Sequence, residues 1–304
     1  MAMKKIIYIA GVIMLLIPAL AGAQALPFTA AETDAASLGT AGANIVETGS
    51  VADAAFYNAA AIPFSDSTLD VAAGYSMWAP SKANIINASG AYNLNDKFGF
   101  ALGFMYGINK AYDITTPNGT VTGSFTPSDM QVNAGFSYRF LPFLSAGVNV
   151  GYASSTIAKG ASYDAVAADV FVMGQFADFK AALGVSNLGS SVTSAAGVKF
   201  SLPTAVTLGL GYGKVFAENH GLDILVDADY YLDEGIAAAA GVGYTYNDMV
   251  SVRAGYRYGG KTAVPSYASV GLGVKFCGIR LDMAYLIAAG AMKNTLAVGL
   301  GYSF

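Results

Sequence analysis

The side chains that most often perform catalysis are scarce in this chain, which has one histidine, His220, and one cysteine, Cys277. A single cysteine cannot form an intramolecular disulfide, and the two residues are too few for a zinc site of cysteine and histidine ligands. His220 lies in the turn-like stretch AENHG, and no G-x-S-x-G motif accompanies it. We therefore predict that the protein is not an enzyme and uses no metal or cofactor. A lipase or protease with His220 as its base is the alternative.

Glycine pairs of the form G-x-G occur repeatedly, and this spacing is also found in phosphate-binding loops. They lie at Gly209–Gly211, Gly241–Gly243, Gly271–Gly273 and Gly299–Gly301. Each pair belongs to a stretch that alternates between large apolar and small residues, and no helical pattern follows it. A dinucleotide-binding loop needs a strand before it and a helix after it, so nucleotide binding is not predicted.

Charged residues fall on the small-residue side of three alternating stretches in the last third of the chain. They are Asp223, Asp227, Asp229, Arg253, Arg257, Arg280 and Asp282. The stretch between the first two groups presents only alanine and glycine on this side over residues 237–243, so long arginine side chains could reach the aspartates across it. We interpret these residues as a structural charge network inside the molecule, with a substrate site as the alternative.

The alternation that carries these residues continues to the end of the chain, TLAVGLGYSF. Counting back from Phe304, every second residue is large and apolar, and the residues between are glycine, alanine, serine or threonine. This period of two is that of a strand with different surroundings on its two faces. We predict fourteen such strands, near residues 67–78, 83–93, 98–106, 132–140, 144–152, 163–176, 179–188, 206–212, 222–230, 236–244, 250–258, 270–276, 279–287 and 295–304.

The connections between these strands alternate in length, as in outer-membrane barrels. Short links occur at residues 94–96, 141–142, 177–178, 247–248 and 277–278. Longer loops are predicted at residues 109–128, 154–162, 189–203, 259–265 and 289–294, while the link near Asp233 is short for this rim. An even number of strands places both barrel ends on the short-turn rim, facing the periplasm.

The composition and the start of the chain indicate the compartment. Residues 1–23 have the pattern of a secretory signal peptide, with Lys4 and Lys5, an apolar run and a small-residue cleavage site. Without those lysines, 14 of the 16 basic residues remain against 20 acidic residues, so a nucleic-acid partner is not predicted. The chain is 54% hydrophobic but has no later apolar run long enough for a membrane helix. We predict an all-β fold, a transmembrane antiparallel β-barrel of about 14 strands over residues 67–304, embedded in the lipid of the bacterial outer membrane.

The segment before the first strand has a different character. Residues 24–66 are apolar without alternation, and they are poor in lysine and glutamate. Barrels wider than about eight strands have room in the lumen for a plug or channel, and a wall lined with glycine leaves more space there. We predict that this segment is an N-terminal hatch in the lumen; a disordered periplasmic tail is the alternative.

Part of this segment, SLGTAGANIVETGSVADAAFYNAAAIP at residues 37–63, resembles the N-terminal signature of the PorV/PorQ family, a branch of the FadL-like outer-membrane barrels. Residues 38–43 resemble the family's Gly-Gly-Ala-like element, and residues 53–60 resemble its acidic-small run followed by Asn-Pro-Ala. Ala59 replaces the family's proline. The resemblance implies a hatch whose motif residues here are Gly39, Gly42, Asp53 and Asn58.

The resemblance implies two kinds of function. PorV-like proteins are non-enzymatic components of type IX secretion that bind secreted or partner proteins, and the modest outer loops of this chain favour that interpretation. FadL-like relatives let hydrophobic small molecules diffuse passively across the outer membrane. This second function requires an apolar pocket between the hatch and the wall and a kink that opens the wall sideways.

Overall fold

A computed structural model gives the fold and describes residues 25–32, 34–78, 83–193, 197–262, 264–289 and 292–304. The predicted signal peptide, residues 1–23, and Gln24 lie outside the described residues. Within the described ranges, no helix is long and apolar enough to cross a membrane. A five-residue α-helix, Ala35–Gly39, and three 3-10 helices, Pro27–Ala30, Ala52–Ala55 and Ala59–Phe64, precede the first strand.

The rest of the chain is β-structure. The strands, in chain order, are β1 (Leu69–Trp78), β2 (Ala83–Leu94), β3 (Phe98–Ile108), β4 (Tyr112–Thr115), β5 (Val121–Phe125), β6 (Ser128–Leu141), β7 (Leu144–Ala158), β8 (Ala161–Phe176), β9 (Phe179–Gly189), β10 (Val192–Thr193), β11 (Lys199–Phe200), β12 (Ala205–Phe216), β13 (His220–Tyr231), β14 (Gly235–Tyr246), β15 (Val250–Tyr258), β16 (Tyr267–Phe276), β17 (Ile279–Ala288) and β18 (Thr295–Ser303).

Fourteen of these strands form one closed antiparallel barrel, which confirms the predicted fold class and strand count. Each barrel strand pairs with its neighbours along the chain, and β1 pairs with β18 to close the ring. The last residue takes part in the closure, since Phe304 donates its backbone N–H to the Leu69 carbonyl oxygen at 2.8 Å. The remaining strands form two small hairpins, β4–β5 and β10–β11, outside the ring.

The two faces of the barrel differ as the alternation predicts. Large apolar residues point outward, as at Leu102 (68% exposed) and Phe276 (65% exposed). Their neighbours on the inner face are small and buried, as at Ala101 and Ser137. A belt of exposed apolar side chains around a closed ring suits hydrocarbon, and every strand finds hydrogen-bonding partners without a free edge. The molecule is therefore built as an integral outer-membrane β-barrel.

The rim with short turns carries both ends of the barrel and is assigned to the periplasm. Its turns at Asn95–Asp96 and Asn247–Asp248 have two consecutive positive φ angles, between 51° and 56°, the backbone of type I′ hairpin turns. At the opposite, outer rim lie the β4–β5 and β10–β11 hairpins and the short link after Tyr231.

The prediction was wrong for residues 154–162, which were expected to form an outer loop. Instead, β7 and β8 continue their pairing to Ala158 and Ala161, with the turn at Lys159–Gly160. Serine, threonine and isoleucine in this stretch are compatible with strand, and nothing before Gly160 interrupts the extended backbone. The pair therefore stands higher than its neighbours on the outer rim.

Candidate functional site

The inner face of the barrel is covered by residues 25–66, called here the N-terminal segment. Its α-helix packs on β15–β18, while its last two 3-10 helices pack on β1–β3 and β6–β8. Glycines in the wall make room for its backbone: a Cβ added to Gly271 would lie 2.9 Å from the Gly39 Cα. A Cβ at Gly147 would overlap the backbone nitrogen of Ala60, and one at Gly255 would overlap Thr40. At these three glycines the space on the inner face is filled by backbone of the N-terminal segment.

Polar side chains of the wall bind the backbone of the N-terminal segment. Asn133 donates to the Ala55 carbonyl oxygen at 2.9 Å, and Asn149 donates to that of Ala54 at 3.1 Å. On the opposite side of the barrel, Ser269 donates to the Gly39 carbonyl oxygen at 3.1 Å. Buried backbone groups outside regular structure need such partners, so these side chains allow an irregular segment to be buried.

The four motif residues occupy separate places in this segment. Gly42 has a φ of 79° and donates its N–H to the Ser37 carbonyl oxygen at 2.9 Å, which ends the α-helix with a tight turn. Gly39 supplies the close approach to Gly271 described above. Asn58 accepts from Ala60 N–H at 2.9 Å, capping the Ala59–Phe64 helix.

Asp53 is the motif residue that faces the wall most directly. Its Oδ1 accepts hydrogen bonds from Ser89 Oγ at 2.8 Å and from Asn87 Nδ2 at 3.3 Å, both on β2. Burial, together with the nearby charge of Asp34, raises the pKa of the Asp53 carboxyl to about 8. Asp53 therefore binds β2, whereas the predicted charge network lies on β13, β15 and β17.

Five of the predicted charged residues form two ion-paired groups. Asp282 binds Arg253 Nη1 through Oδ1 at 2.7 Å and Arg280 Nε through Oδ2 at 3.0 Å. Arg280 also lies 3.6 Å from Asp70 Oδ1, a residue of β1 that the sequence grouping did not include. Asp282 and Asp70 are almost completely buried, so their charges depend on these partners.

The second group lies across β14. Arg257 reaches over the alanine-lined strand to Asp229 Oδ2 at 3.1 Å. Asp227 instead binds the N-terminal segment: its Oδ2 accepts the backbone N–H groups of Asn44 at 2.7 Å and Ile45 at 3.1 Å. Asp223 takes part in none of the ion pairs found within 4 Å among the described residues.

Two cavities lie on opposite sides of the N-terminal segment. The outer cavity, about 120 Å³, is bordered by Ala153 and Ala165 of β7 and β8 near the outer rim. The periplasmic cavity, about 510 Å³, reaches Asn247 and Lys275 at the short-turn rim. Asn44 and Tyr57 line both cavities, so these side chains stand between the two spaces.

Glu32 binds both residues that stand between the two cavities, Asn44 and Tyr57. Its Oε2 accepts from Asn44 Nδ2 at 2.6 Å and from Ser37 Oγ at 2.8 Å, while its Oε1 accepts from the Tyr57 hydroxyl and from Asp34 N–H. Burial, reinforced by the charge of Asp34, raises the pKa of the Glu32 carboxyl to about 7. Four parts of the segment thus meet at one carboxyl group. Glu32 could not be predicted from the sequence, because no motif or period marks it.

The barrel wall is paired around its whole circumference, and one of the irregularities in this pairing lies beside the outer cavity. The register of β8 and β9 shifts between Ala168 and Val170. Asn187, opposite this point, has a φ of 55° and donates its N–H to Asp169 Oδ1 at 2.7 Å. This β-bulge bends the wall, while the strands on both sides of it remain paired.

His220 and Cys277 are not among the described residues that line the two cavities. His220 Nδ1 is 2.6 Å from the Tyr244 hydroxyl, and its ring stacks on Phe216 at the periplasmic rim. Aromatic rings at this level suit the membrane interface. Cys277 is exposed in the short turn between β16 and β17.

Comparison with solved structures shows the same architecture. The toluene transporter TodX of P. putida matches with a TM-score of 0.55 at 14% identity, over 81% of this chain and 92% of that one. The CymD monoaromatic hydrocarbon channel matches with a TM-score of 0.60 at 11% identity, over 90% and 97%. A Pseudomonas aeruginosa FadL homologue matches with a TM-score of 0.52 at 12% identity, over 90% and 98%.

No protein-family model and no curated protein matches the sequence. The resemblance to the PorV/PorQ branch therefore gains no support from the comparisons. At these identities the structural likeness shows the fold alone. The chain has the fold of FadL-like outer-membrane channels.

Proposed function

We propose that this protein is a passive channel for small hydrophobic molecules across the outer membrane. The observation that carries the proposal is the pair of cavities, one open to each half of the barrel and separated by the side chains around Glu32, Asn44 and Tyr57. A barrel that only displayed protein-binding surfaces would not need such spaces. Solved structures with this fold include a toluene transporter and a monoaromatic hydrocarbon channel, which supports the same assignment.

The N-terminal segment acts as the hatch of this channel. Because the wall is paired all the way round, the proposed route runs along the barrel axis, from the outer cavity past Tyr57 to the periplasmic cavity. The outer cavity, about 120 Å³, is close to the roughly 150 Å³ that holds one benzene-sized molecule in other proteins. The proposed solutes are therefore molecules with a single ring or of similar size, rather than long-chain lipids.

The alternative of a type IX secretion component rests on the resemblance of residues 37–63. In that role the protein would copurify with secreted or partner proteins after gentle extraction. A channel would be expected to work without them.

The test is uptake of labelled toluene by a porin-deficient Gram-negative host that expresses the protein. Wild type should raise the initial uptake rate above that of the empty host. Ala153→Trp, which places a large ring in the outer cavity, should reduce this gain at least fivefold. Ala134→Trp is the matched control, because Ala134 lies on the outer face of β6 and a tryptophan there meets lipid.

Both variants are first compared with wild type for the amount of folded barrel in the outer membrane, by heat-dependent gel mobility. Equal toluene uptake by wild type and the empty host would overturn the proposal. So would full uptake by Ala153→Trp at a normal level of folded protein.

A further inference from the structure

Acidic side chains outnumber basic ones in the lining of the periplasmic cavity. Its described lining contains seven acidic residues and three basic residues, which are Arg253, Lys275 and Arg280. Each of the three already has an acidic partner. Arg253 and Arg280 bind Asp282, and Lys275 binds Asp248 at 2.9 Å. The remaining acidic residues give this cavity an excess of negative charge.

The outer cavity has the same imbalance. Four acidic residues line it, and its one described basic residue, Arg257, is paired with Asp229 at 3.1 Å. Asp227 is 1% exposed, and its Oδ1 has no hydrogen-bond partner in the part of the chain that the structure describes, while its Oδ2 accepts from the N-terminal segment. A buried carboxylate oxygen without a partner requires a donor from a water molecule or from a ligand.

Two other features of the outer cavity indicate which charge on a solute it favours. The Nε of Arg257 also lacks a hydrogen-bond partner among the described residues, and its N–H would donate to a hydroxyl or carboxylate oxygen. The charge of Arg257 is already balanced by Asp229, however, so an added anion would face the uncompensated Asp227 and Asp169. The rings of Tyr57, Tyr231 and Tyr267 also line this space, and aromatic faces attract cations.

We infer that the passage selects solutes by charge, admitting cationic and neutral small molecules more readily than anionic ones of the same size. This inference rests on the proposed channel function. Charges on the walls of a narrow, low-dielectric passage act on a solute more strongly than exposed charges do. For one uncompensated charge at about 8 Å and an effective dielectric constant of about 20, discrimination of at least about tenfold is expected.

Partial protonation does not remove the imbalance. Burial raises the pKa of Glu32 to about 7 and that of Asp53 to about 8, so both are partly neutral at pH 7. With these two left out, and with the buried Asp34 and Asp227 also counted as neutral, acidic residues still outnumber basic residues by two to one in the outer cavity and by five to three in the periplasmic cavity. Rejection of anions is therefore expected at pH 7 and should strengthen as the pH rises toward 9.

The experiment compares three labelled probes that share one benzyl or phenyl ring: benzylamine as cation, benzyl alcohol as neutral solute and benzoate as anion. Uptake is measured at pH 7 in the porin-deficient host, as the gain over the empty host. We expect the gains for benzylamine and benzyl alcohol to exceed the gain for benzoate by at least tenfold. Equal gains for benzoate and benzyl alcohol would overturn the charge inference and leave the channel function standing. No gain for any of the probes or for toluene would overturn both.

Two variants test whether the acidic residues that line the cavities cause the charge selectivity. Asp223→Asn and Asp227→Asn should each raise the ratio of benzoate to benzylamine uptake severalfold. Asp223 forms no ion pair with any of the described residues, so its variant keeps the test valid if Asp227→Asn weakens the binding of the N-terminal segment. Asp113→Asn is the matched control, because Asp113 is exposed in the outer β4–β5 hairpin and should leave the ratio unchanged. An unchanged ratio in both cavity variants would overturn the inference.

Discussion

At the scale of single residues, the feature with the widest consequence is the buried carboxyl group of Glu32. It accepts hydrogen bonds from four parts of the N-terminal segment, and two of its partners, Asn44 and Tyr57, line both cavities. Burial raises its pKa from 4.5 to about 7, with Asp34 adding repulsion. Burial also raises the pKa of Asp53 to about 8, again with help from Asp34, while Arg280 opposes that shift. Arg257 and Tyr267 of the barrel wall lie beside Gly42, in the same part of the N-terminal segment.

These raised pKa values predict that the closed arrangement of the N-terminal segment weakens as the pH rises. An acid whose pKa is higher in the closed form than in an exposed form stabilises the closed form below pH 4.5, and this contribution is lost as the pH passes about 7. For Glu32 the change is about 3 kcal/mol at most, at 1.36 kcal/mol per pH unit. Hydrogen exchange of residues 34–57, corrected for intrinsic rates, should therefore be severalfold faster at pH 8.5 than at pH 5.5.

Glu32→Gln mimics the protonated acid and should reduce this pH dependence. Glu32→Gln combined with Asp53→Asn should reduce it further, because the second buried acid is then also neutral, while burial also raises the pKa of Asp34, which remains. Amides in β14, within the barrel wall, serve as the internal control and should show no such change. A pH dependence in the double variant equal to that of wild type would show that other groups control the segment.

The charged residues on the strands were predictable because they follow the two-residue period. Inward positions can be assigned wherever the period is regular, and Asp229 and Arg257 were grouped on that basis. Their partners could not all be assigned, since register decides which inward residues are level with one another. Asp70 joins Arg280 only because β1 closes on β18, and Glu32 has neither a period nor a motif around it.

At the scale of elements, the strands of this barrel are predicted well because each has two unlike environments. Hydrocarbon selects large apolar residues on one face, and the approach of the N-terminal segment selects small residues on the other. The outer end of the β7–β8 hairpin lacks this contrast, because no hydrocarbon contacts it there. The polar composition of residues 154–162 predicts a loop, although serine and threonine above the membrane are as compatible with a paired strand as with a turn.

The contact between the wall and the Ala59–Phe64 helix predicts that alanine substitutions at two wall glycines differ sharply in their effect on stability. In Gly147→Ala, the added Cβ would overlap the backbone of Ala59 and Ala60, which cannot move aside as a flexible side chain could. This variant should be less stable by about 1 to 3 kcal/mol, the usual cost of overpacking. In Gly221→Ala, the nearest atom to the new Cβ is 3.5 Å away, so stability should be unchanged or slightly higher.

Thermal unfolding in detergent measures the difference between the two variants. Hydrogen exchange of residues 59–64 then identifies the part of the molecule that responds, since Gly147→Ala should accelerate exchange there and Gly221→Ala should not. Equal melting temperatures and equal exchange would show that the helix does not rest against this strand in the native membrane protein.

At the scale of the whole molecule, the question is whether solutes pass by a local rearrangement or by expulsion of the entire N-terminal segment. The segment buries apolar residues such as Leu38, Val46 and Ile62, and it receives backbone hydrogen bonds from opposite sides of the wall. Each fully buried side chain of this kind contributes about 1.5 to 3 kcal/mol, and each hydrogen bond contributes about 1 kcal/mol. Expulsion of the segment would cost far more free energy than rotation of the Tyr57 and Asn44 side chains. The expelled state would therefore be too rare to support diffusion of solutes through the barrel.

A disulfide between the segment and the wall separates these two mechanisms. Ala35 Cβ lies 3.4 Å from the position of a Cβ at Gly299, close to the 3.5 to 4.5 Å separation in disulfides. The double variant Ala35→Cys with Gly299→Cys, in a background with Cys277→Ser, should therefore form the bond on oxidation and hold the α-helix against β18. If solutes pass by local rearrangement near Tyr57, toluene uptake by the oxidised protein should stay within about twofold of the reduced protein. Each single-cysteine variant, treated in the same way, controls for effects of the oxidant. A loss of uptake of tenfold or more on oxidation, restored by reductant, would instead show that the whole segment must leave the wall before a solute can pass.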